Sequence, residues 1–399
     1  MGRRLTTAIL CLSLNLASGQ SIYQKDFIFY WQTIKDNFAY FHKQHTYWDT
    51  VKTIYQPALD TITTKDSFIH FLESVNNELY NGHVFLNVNT NTSNRTIPSG
   101  ADLKVSRTGN QFVISEIRPD YNADKSGLKP GMAITKFNQI PVDDAIKKFL
   151  PKSVTVYDTV MLEYAADLLL AGTHNTKREI TVFFNGHEQT FKPDQVPNRT
   201  EEQPKTLIES GVLTNNTGYI KINNSLGNSH LISEFDLALD SLKNTRKLIL
   251  DLRETPGGGN TTVARAIMGR FIESELPYQK HIYTSEEKET GIRRSTLELV
   301  SPREKIYTGQ LIVLVSYWTG SMGEGMAIGF DAMKRATIIG TKMAGLLGEI
   351  YSFETPETKI TFSFPCVQLQ HVNGQPREDF VPAVLISDQK QALKAAEIY

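Results

Sequence analysis

Apolar side chains between positions 23 and 80 recur at intervals of three and four, as in Phe27, Tyr30 and Ile34 and again in Phe68, Phe71, Leu72 and Val75, with no glycine in the segment. That period predicts helices with one buried face, and Trp31, Tyr40, Tyr47 and Trp48 suit a compact helical cap. Asn81-Gly82-His83 breaks the helical pattern, 84–88 reads as a short strand, and the Thr- and Asn-rich stretch 89–100 reads as a linker. From 101 to 194 the pattern changes to short strands at 103–105, 111–117, 133–137 and 179–184, with one amphipathic stretch at 159–170. Positions 195–204 are polar and hold two prolines, a second linker. Beyond 205, strands at 218–222, 247–252, 310–315 and 337–339 alternate with helices at 231–242, 262–271 and 323–333. This βαβα order predicts a parallel sheet flanked by helices. The charged segment 388–399 reads as solvated surface.

Composition adds exclusions. Forty-two Lys plus Arg stand against 43 Asp plus Glu, a formal net charge of −1, so no basic field exists to hold a phosphate backbone and a dedicated nucleic-acid binder is excluded. The first nineteen residues differ from the rest: Arg3 and Arg4 precede an apolar run at 5–16, and Ala17-Ser18-Gly19 offers the small residues of a cleavage site. A signal peptide over 1–19 is expected, and its apolar run is too short for a stable membrane anchor. Export, to a periplasm or the medium, is the localisation this implies. Cleavage would remove Cys11 and leave Cys366 as the one thiol, so no intramolecular disulfide forms. Cys366 lies in the apolar run 360–367, where a buried small hydrophobe is expected.

Three features fall where a parallel-sheet enzyme keeps its site, at the C-terminal ends of strands. Asp251-Leu252-Arg253 leads into Pro256-Gly257-Gly258-Gly259, a turn that exposes backbone N–H groups beside a helix start. It is neither a P-loop nor a GxGxxG sequence, so nucleotide binding gains no support. In the second, the strand 310–315 feeds Thr319-Gly320-Ser321-Met322-Gly323-Glu324, with Ser321 at the strand-to-helix junction. From these residues alone a helix N-cap is the stronger reading, because Glu324 completes a capping box; a nucleophile is the alternative. The third is His83, at the helix-to-strand break. The other histidines form no metal-binding spacing, and neither a metal nor a cofactor is expected.

Taken in order, these pieces resemble the S41 peptidases, the C-terminal-processing and tricorn-core group, over nearly the whole chain. Leu79-Tyr80-Asn81-Gly82-His83 is similar to the end of that family's N-terminal region. The stretch 123–134, with Gly127-Leu128 and Gly131-Met132, resembles a PDZ signature, and Leu170-Ala171-Gly172 with 179–184 resembles its close. Asp251-Leu252-Arg253 with Pro256-Gly257-Gly258 matches the family's glycine turn, Ser321-Met322-Gly323-Glu324 its nucleophile motif, and 339–345 the strand and turn that follow. Peptidases of the Ser–Lys type carry a lysine after the glycine of that last turn. Here Leu346 follows Gly345, and the nearest lysine, Lys342, precedes the turn. The tricorn-like alternative uses a His and a Glu, onto which His83 and Glu378 map, with Asp379 as the reserve in a loop shorter than the family's.

The resemblance therefore implies an α/β protein with a crotonase-like (ClpP/crotonase) catalytic domain, an inserted PDZ-like β-rich module and an N-terminal helical cap. The divisions are 1–19 leader, 20–100 cap, 101–194 PDZ-like module, 195–204 linker and 205–399 catalytic domain. It implies an exported serine endopeptidase acting on peptides or unfolded proteins. Ser321 would be the nucleophile and His83 the base. Glu378 would orient the imidazole or a water, and the N–H groups of Gly258 and Met322 would hold the oxyanion. The PDZ-like module would take an extended peptide by strand addition, its carboxylate loop near 122–128. The rival is a catalytically silent peptide- or ligand-binding protein on the same scaffold; an acyl-CoA enzyme of the crotonase type fits neither the leader nor the PDZ-like module.

Overall fold

The computed structural model describes residues 21–196, 206–386 and 388–399. The leader expected at 1–19, and the linker expected at 195–204 beyond its first two positions, lie outside the described residues.

The helical pattern at the start resolves into Ile22–Asn37, Trp48–Tyr55 and Lys65–Asn76. Ser21 and Gln24 cap the first helix reciprocally, each side chain taking the other's backbone N–H at 3.2 and 2.9 Å. The buried stripe is the one the period marks: Phe27, Tyr30, Ile34, Phe68, Leu72 and Val75 are fully buried. The cap does not complete its core alone. Leu347, Ile360, Phe362, Phe364 and Cys366, from the far end of the chain, join it. The strand Phe85–Leu86 pairs antiparallel with Thr361–Gln370. Burial pushes the Cys366 thiol up to about 12, so this side chain is an apolar filler rather than a nucleophile.

The middle module is a six-stranded antiparallel sheet running from Leu103–Thr108 through Gln111–Ile117, Ala133–Phe137 and Ile180–Phe184 to His187–Phe191, with the short Ile140–Pro141 beside Ala133–Phe137. The helix Thr159–Ala171 packs on it, with Ala165, Ala166, Leu169 and Leu170 buried. One guanidinium ties the module together. Arg178 donates to both oxygens of Asp102 at 2.6 and 2.8 Å, to both of Asp194 at 3.0 and 2.8 Å, and to Leu170 O at 3.0 Å. Asp102 in turn accepts from Ala123 N at 2.9 Å.

The last part carries the parallel sheet that the βαβα order predicts. Its strands lie in the order Val384–Leu385, Ala336–Gly340, Gln310–Val315, Lys247–Asp251, Thr217–Ile222 and Ile208–Leu213, the last pairing antiparallel at the edge. The helices Leu231–Ser241, Thr261–Met268 and Met322–Ala332 bury their apolar faces in one core with Leu250, Val313 and Ile338.

Three expectations change. A second, five-stranded sheet is added: Phe85–Leu86, Thr361–Gln370, Leu276–Ile282 and Ser295–Val300 in that order, with Glu349–Glu354 beside Thr361–Gln370. The strand read at 84–88 is its Phe85–Leu86, but Leu276–Ile282 escapes the pattern because it mixes Pro277, Gln279, Lys280 and His281 among apolar residues. In Ser295–Val300 the apolar Leu297 and Leu299 face outward. The stretch 89–100 is not a free linker. Ser93 and Ile97 are buried, Asn94 Nδ2 donates to Leu168 O at 2.7 Å and Arg95 N to Gly172 O at 2.8 Å, so its polar residues satisfy groups of the middle module. Nor is the end of the chain wholly solvated: in Gln389–Ile398, Ala392 and Ala396 are buried against Ile249, Ile312 and Leu314.

Removing Arg178 would take from the buried Asp102 and Asp194 the cation that bridges them, leaving Asp194 the more distant Arg95 at 3.9 Å. Arg178→Ala is expected to lower stability by about 3–5 kcal/mol in urea titration. A loss under about 1 kcal/mol would show that water replaces the guanidinium.

Candidate active site

Lys247–Asp251 and Gln310–Val315 are parallel neighbours paired from Lys247 with Gln310 to Asp251 with Leu314, so the turns after them emerge side by side. They are stitched together. The hydroxyls of Thr255 and Thr319 both donate to Leu252 O, at 2.8 and 2.9 Å. Thr255 N donates to Trp318 O at 3.1 Å and Gly320 N to Thr255 O at 3.2 Å. The Trp318 ring is fully buried beneath the second turn, its Nε1 donating to Ala101 O at 2.8 Å, which docks the middle module there.

Gly258 and Ser321 face each other across these turns. A Cβ at Gly258 would overlap the Ser321 Cβ, lie 2.7 Å from its Oγ and 3.3 Å from Met322 N, and φ at Gly258 is +65°. Only glycine fits there on both counts. Met322 N–H stands at the first position of its helix, where no intrahelical acceptor exists. Gly258 N–H turns back to Thr255 O at 3.3 Å. The structure thus brings Gly258, Ser321 and Met322 into direct proximity.

Ser321 has φ +53° and ψ −111°, a conformation rarely adopted by a side-chain-bearing residue. Its peptide groups are held from both sides. Ser321 N donates to Glu324 Oε2 at 2.7 Å, the return arm of the predicted capping box. Ser321 O accepts from Gly325 N at 3.0 Å and from Arg377 Nη1 at 3.3 Å. Glu324 is more than a cap. It is fully buried, and its other oxygen accepts from Gly345 N at 2.9 Å and Leu346 N at 3.3 Å. Burial raises this carboxyl to about 7, against the opposing pull of Arg377 and the three N–H donors.

His83 enters from the cap. Asn81 Oδ1 accepts from both His83 N and Leu347 N, at 3.0 and 3.2 Å, and pins the histidine's loop to the 345–348 turn. His83 Nδ1 lies 2.6 Å from Leu347 O. A carbonyl only accepts, so Nδ1 carries the proton and the neutral ring has its lone pair on Nε2. Burial, reinforced by the Arg377 guanidinium, lowers His83 to about 4 despite the Leu347 and Gly348 carbonyls. Leu346 occupies the space between the two segments: its side chain would lie 2.8 Å from a Cβ at Gly82 and 3.2 Å from one at Gly320.

His83 thus lies in the adjoining wall, and no hydrogen bond joins it to Ser321 or to Glu378. Glu378 Oε1 is held by Lys43 Nζ at 2.6 Å, and its Oε2 is buried without a partner. Asp379 shares the same lysine at 3.0 Å. Lys342 is exposed and lines a cavity of about 720 Å³ between the cap, the middle module and the 341–346 turn. Gly82, Leu346, Lys104, Glu163 and Tyr317 also line it. Sequence reasoning overlooked Arg377, Asn81 and the bridging role of Glu324. Each sits inside a motif already singled out, but nothing in its spacing shows which distant turn it reaches. Among the described residues, no group of three or more His, Cys, Asp or Glu is placed to hold a metal ion.

Comparisons with known proteins bear on family and fold. The Peptidase family S41 profile matches residues 216–361, and the Tricorn protease C1 domain profile matches residues 22–76. Among solved structures, mature CPAF is similar with a TM-score of 0.61 and 12% identity, over 94% of this chain and 95% of that one. The photosystem II D1 C-terminal processing protease is similar with a TM-score of 0.55 and 15% identity, over 93% of this chain and 94% of that one. At such identities the structural likeness is one of fold.

Glu324 gives a linkage with a definite sign. Its folded value of about 7 exceeds the ordinary 4.5, so the native state keeps a proton that the unfolded chain has released. The stabilisation is complete below the unfolded value and is lost as pH rises through about 7. Relative to Glu324→Gln, wild-type stability is expected to fall by about 3 kcal/mol between acidic and alkaline pH in urea titrations. Parallel profiles for the two proteins would refute the raised value.

Proposed function

Because the chain belongs to Peptidase family S41 and is a serine-type peptidase, we propose that Ser321 is its nucleophile and His83 its general base. The observation that carries this reading is the junction itself: Ser321 on a positive-φ turn, facing Gly258, with Met322 N–H beside it at a helix start. Ser321 Oγ attacks the scissile carbonyl. Its proton passes to His83 Nε2 and from there to the leaving amine. The developing oxyanion takes Met322 N–H, with Gly258 N–H turning from Thr255 O to join it. Each such donor is worth about 3 kcal/mol of barrier. Lowered to about 4, His83 is neutral at physiological pH and ready to accept a proton. The proposal assigns Glu378 to orient the imidazole or a water beside it, a role that requires exchange of its Lys43 contact.

The same reading extends to the architecture and setting. The parallel sheet with its glycine turn and helix start supports a crotonase-like catalytic domain, and the antiparallel module with its packed helix supports a PDZ-like insert. Strand addition at the edge of Leu103–Thr108 has a competitor within the module. Val105 N already donates to Asp167 Oδ1 at 3.1 Å and Arg107 N to Glu163 Oε1 at 2.6 Å, so a peptide must displace two carboxylates. The substrate is a peptide or unfolded protein, and the 1–19 segment supports export. No helix among the described residues is long and apolar enough to cross a membrane.

Three measurements test the site. A fluorophosphonate is expected to label wild type but not Ser321→Ala, and to label His83→Ala at least about a hundredfold more slowly; equal labelling of wild type and Ser321→Ala would sink the nucleophile assignment. In Glu324→Gln, which removes the titration of Glu324 near 7, the residual labelling rate should hold as pH falls through 6.5 and drop only near the His83 value of about 4. A fall centred at 6.5 would mean that His83 is solvated or is not the base. Glu378→Gln is expected to lower kcat on denatured casein about tenfold, with Lys43→Met nearly neutral. Equal losses in both would show that Glu378 serves the ion pair instead.

A further inference from the structure

The Glu324 carboxylate spans two chain segments that the sequence keeps apart. With Oε2 it takes the N–H of Ser321, and with Oε1 the N–H groups of Gly345 and Leu346. The next residue of that second turn, Leu347, offers its carbonyl to His83 Nδ1. A continuous path of hydrogen bonds and one peptide step therefore runs from the Ser321 backbone through Glu324 and the 345–347 turn to the imidazole. Arg377 braces the same two turns through their carbonyls: Nη1 donates to Ser321 O at 3.3 Å, and Nη2 to Leu346 O and Gly348 O at 2.9 and 3.1 Å. The guanidinium and carboxylate stand 3.9 Å apart, with 2% and 0% of their side chains exposed. One takes the N–H groups and the other the C=O groups, so the two turns are held by direct hydrogen bonds.

We propose that Glu324 is a positioning residue for the peptidase reaction, whose bidentate carboxylate sets the placement of Ser321 relative to His83. The proposal rests on the Ser321–His83 reading above. A displacement of about 1 Å between nucleophile and base costs on the order of a hundredfold in rate, and Ser321 holds a positive-φ backbone whose N–H Glu324 takes and whose C=O Arg377 takes. Glutamine matches the size of Glu324 but turns one of the two acceptor oxygens into a donor. In Glu324→Gln, an amide N–H must then confront either Ser321 N–H or the pair from Gly345 and Leu346. One half of the bridge opens while the packing volume is kept.

Turnover of denatured casein above pH 7, where Glu324 is ionised and both of its oxygens accept, separates the outcomes. Glu324→Gln is expected to lose about a hundredfold in kcat with KM changed less than about threefold, because the bound substrate meets an intact surface but a misplaced nucleophile. Glu324→Asp, which keeps both acceptors on a shorter stem, should recover part of the loss. Turnover that requires Ser321 but is unchanged in folded Glu324→Gln overturns the positioning role alone. Equal turnover by wild type and Ser321→Ala overturns the nucleophile reading and this role with it. Hydrogen exchange in the unmutated protein covers the case in which the variants do not fold. The amides of Ser321, Gly345 and Leu346 are expected to exchange together, through one opening. A Ser321 amide exchanging a hundredfold faster than the other two would show that the carboxylate does not bridge the turns.

Discussion

The site depends on a buried ion pair that works through backbone groups. Glu324 and Arg377 barely touch each other, at 3.9 Å, yet between them they take the N–H and C=O groups of the Ser321 junction and the 345–348 turn. Two turns carrying several unpaired peptide groups cannot be buried against each other unless those groups find partners. A carboxylate and a guanidinium supply acceptors and donors in one small volume, and each moderates the burial cost of the other. The Ser321 junction inherits its position from this arrangement. The strained Ser321 backbone and the 345–348 turn are held because their peptide groups find partners in this pair, while Gly258 is placed separately, its N–H on Thr255 O.

Burial that makes the pair effective also sets the chemistry. His83 is lowered and Glu324 raised for the same first reason, removal from water, and the Arg377 guanidinium pushes both downward. The result is a neutral histidine with its proton directed to a carbonyl and its basic nitrogen free, the state in which an imidazole can take a proton from a hydroxyl. Leu346 stands in the wall where a lysine base would follow Gly345, wedged between Gly82 and Gly320. An apolar side chain at that position puts no amine between Gly82 and Gly320.

The architecture follows from the same economy of partners. The cap lacks enough apolar surface of its own and borrows Phe362 and Phe364 from the late sheet. That exchange carries Asn81 and His83 to the 345–348 turn. The middle module is tied to the Ser321 turn by Trp318 Nε1 on Ala101 O, and Arg118 reaches Glu254 of the glycine turn at 2.7 Å. Each of the three parts therefore contributes to the surroundings of one serine. The module's own strand edge is meanwhile capped by Asp167 and Glu163, which leaves it self-satisfied in the absence of a peptide.

Much of this was legible in the sequence. The period of three and four marked the cap helices and their buried faces. The βαβα alternation marked the parallel sheet, and the glycine turn and the serine junction marked the ends of two neighbouring strands. Those signals are local: a repeat of apolar residues or a turn residue acts within a few positions of itself. Of the second sheet, Leu276–Ile282 and Ser295–Val300 were not legible, because the first mixes polar and apolar residues and the second turns its leucines outward, and both are organised by pairing across the chain. Nor did local spacing show that Glu324, read as a helix cap, reaches Gly345 and Leu346, or that Lys43 takes Glu378. The sequence by itself determined which residues could do chemistry and which elements would carry them. Only the tertiary structure decided which of them meet, because a buried hydrogen bond or ion pair is set by whichever unpaired group folding brings within 3 Å.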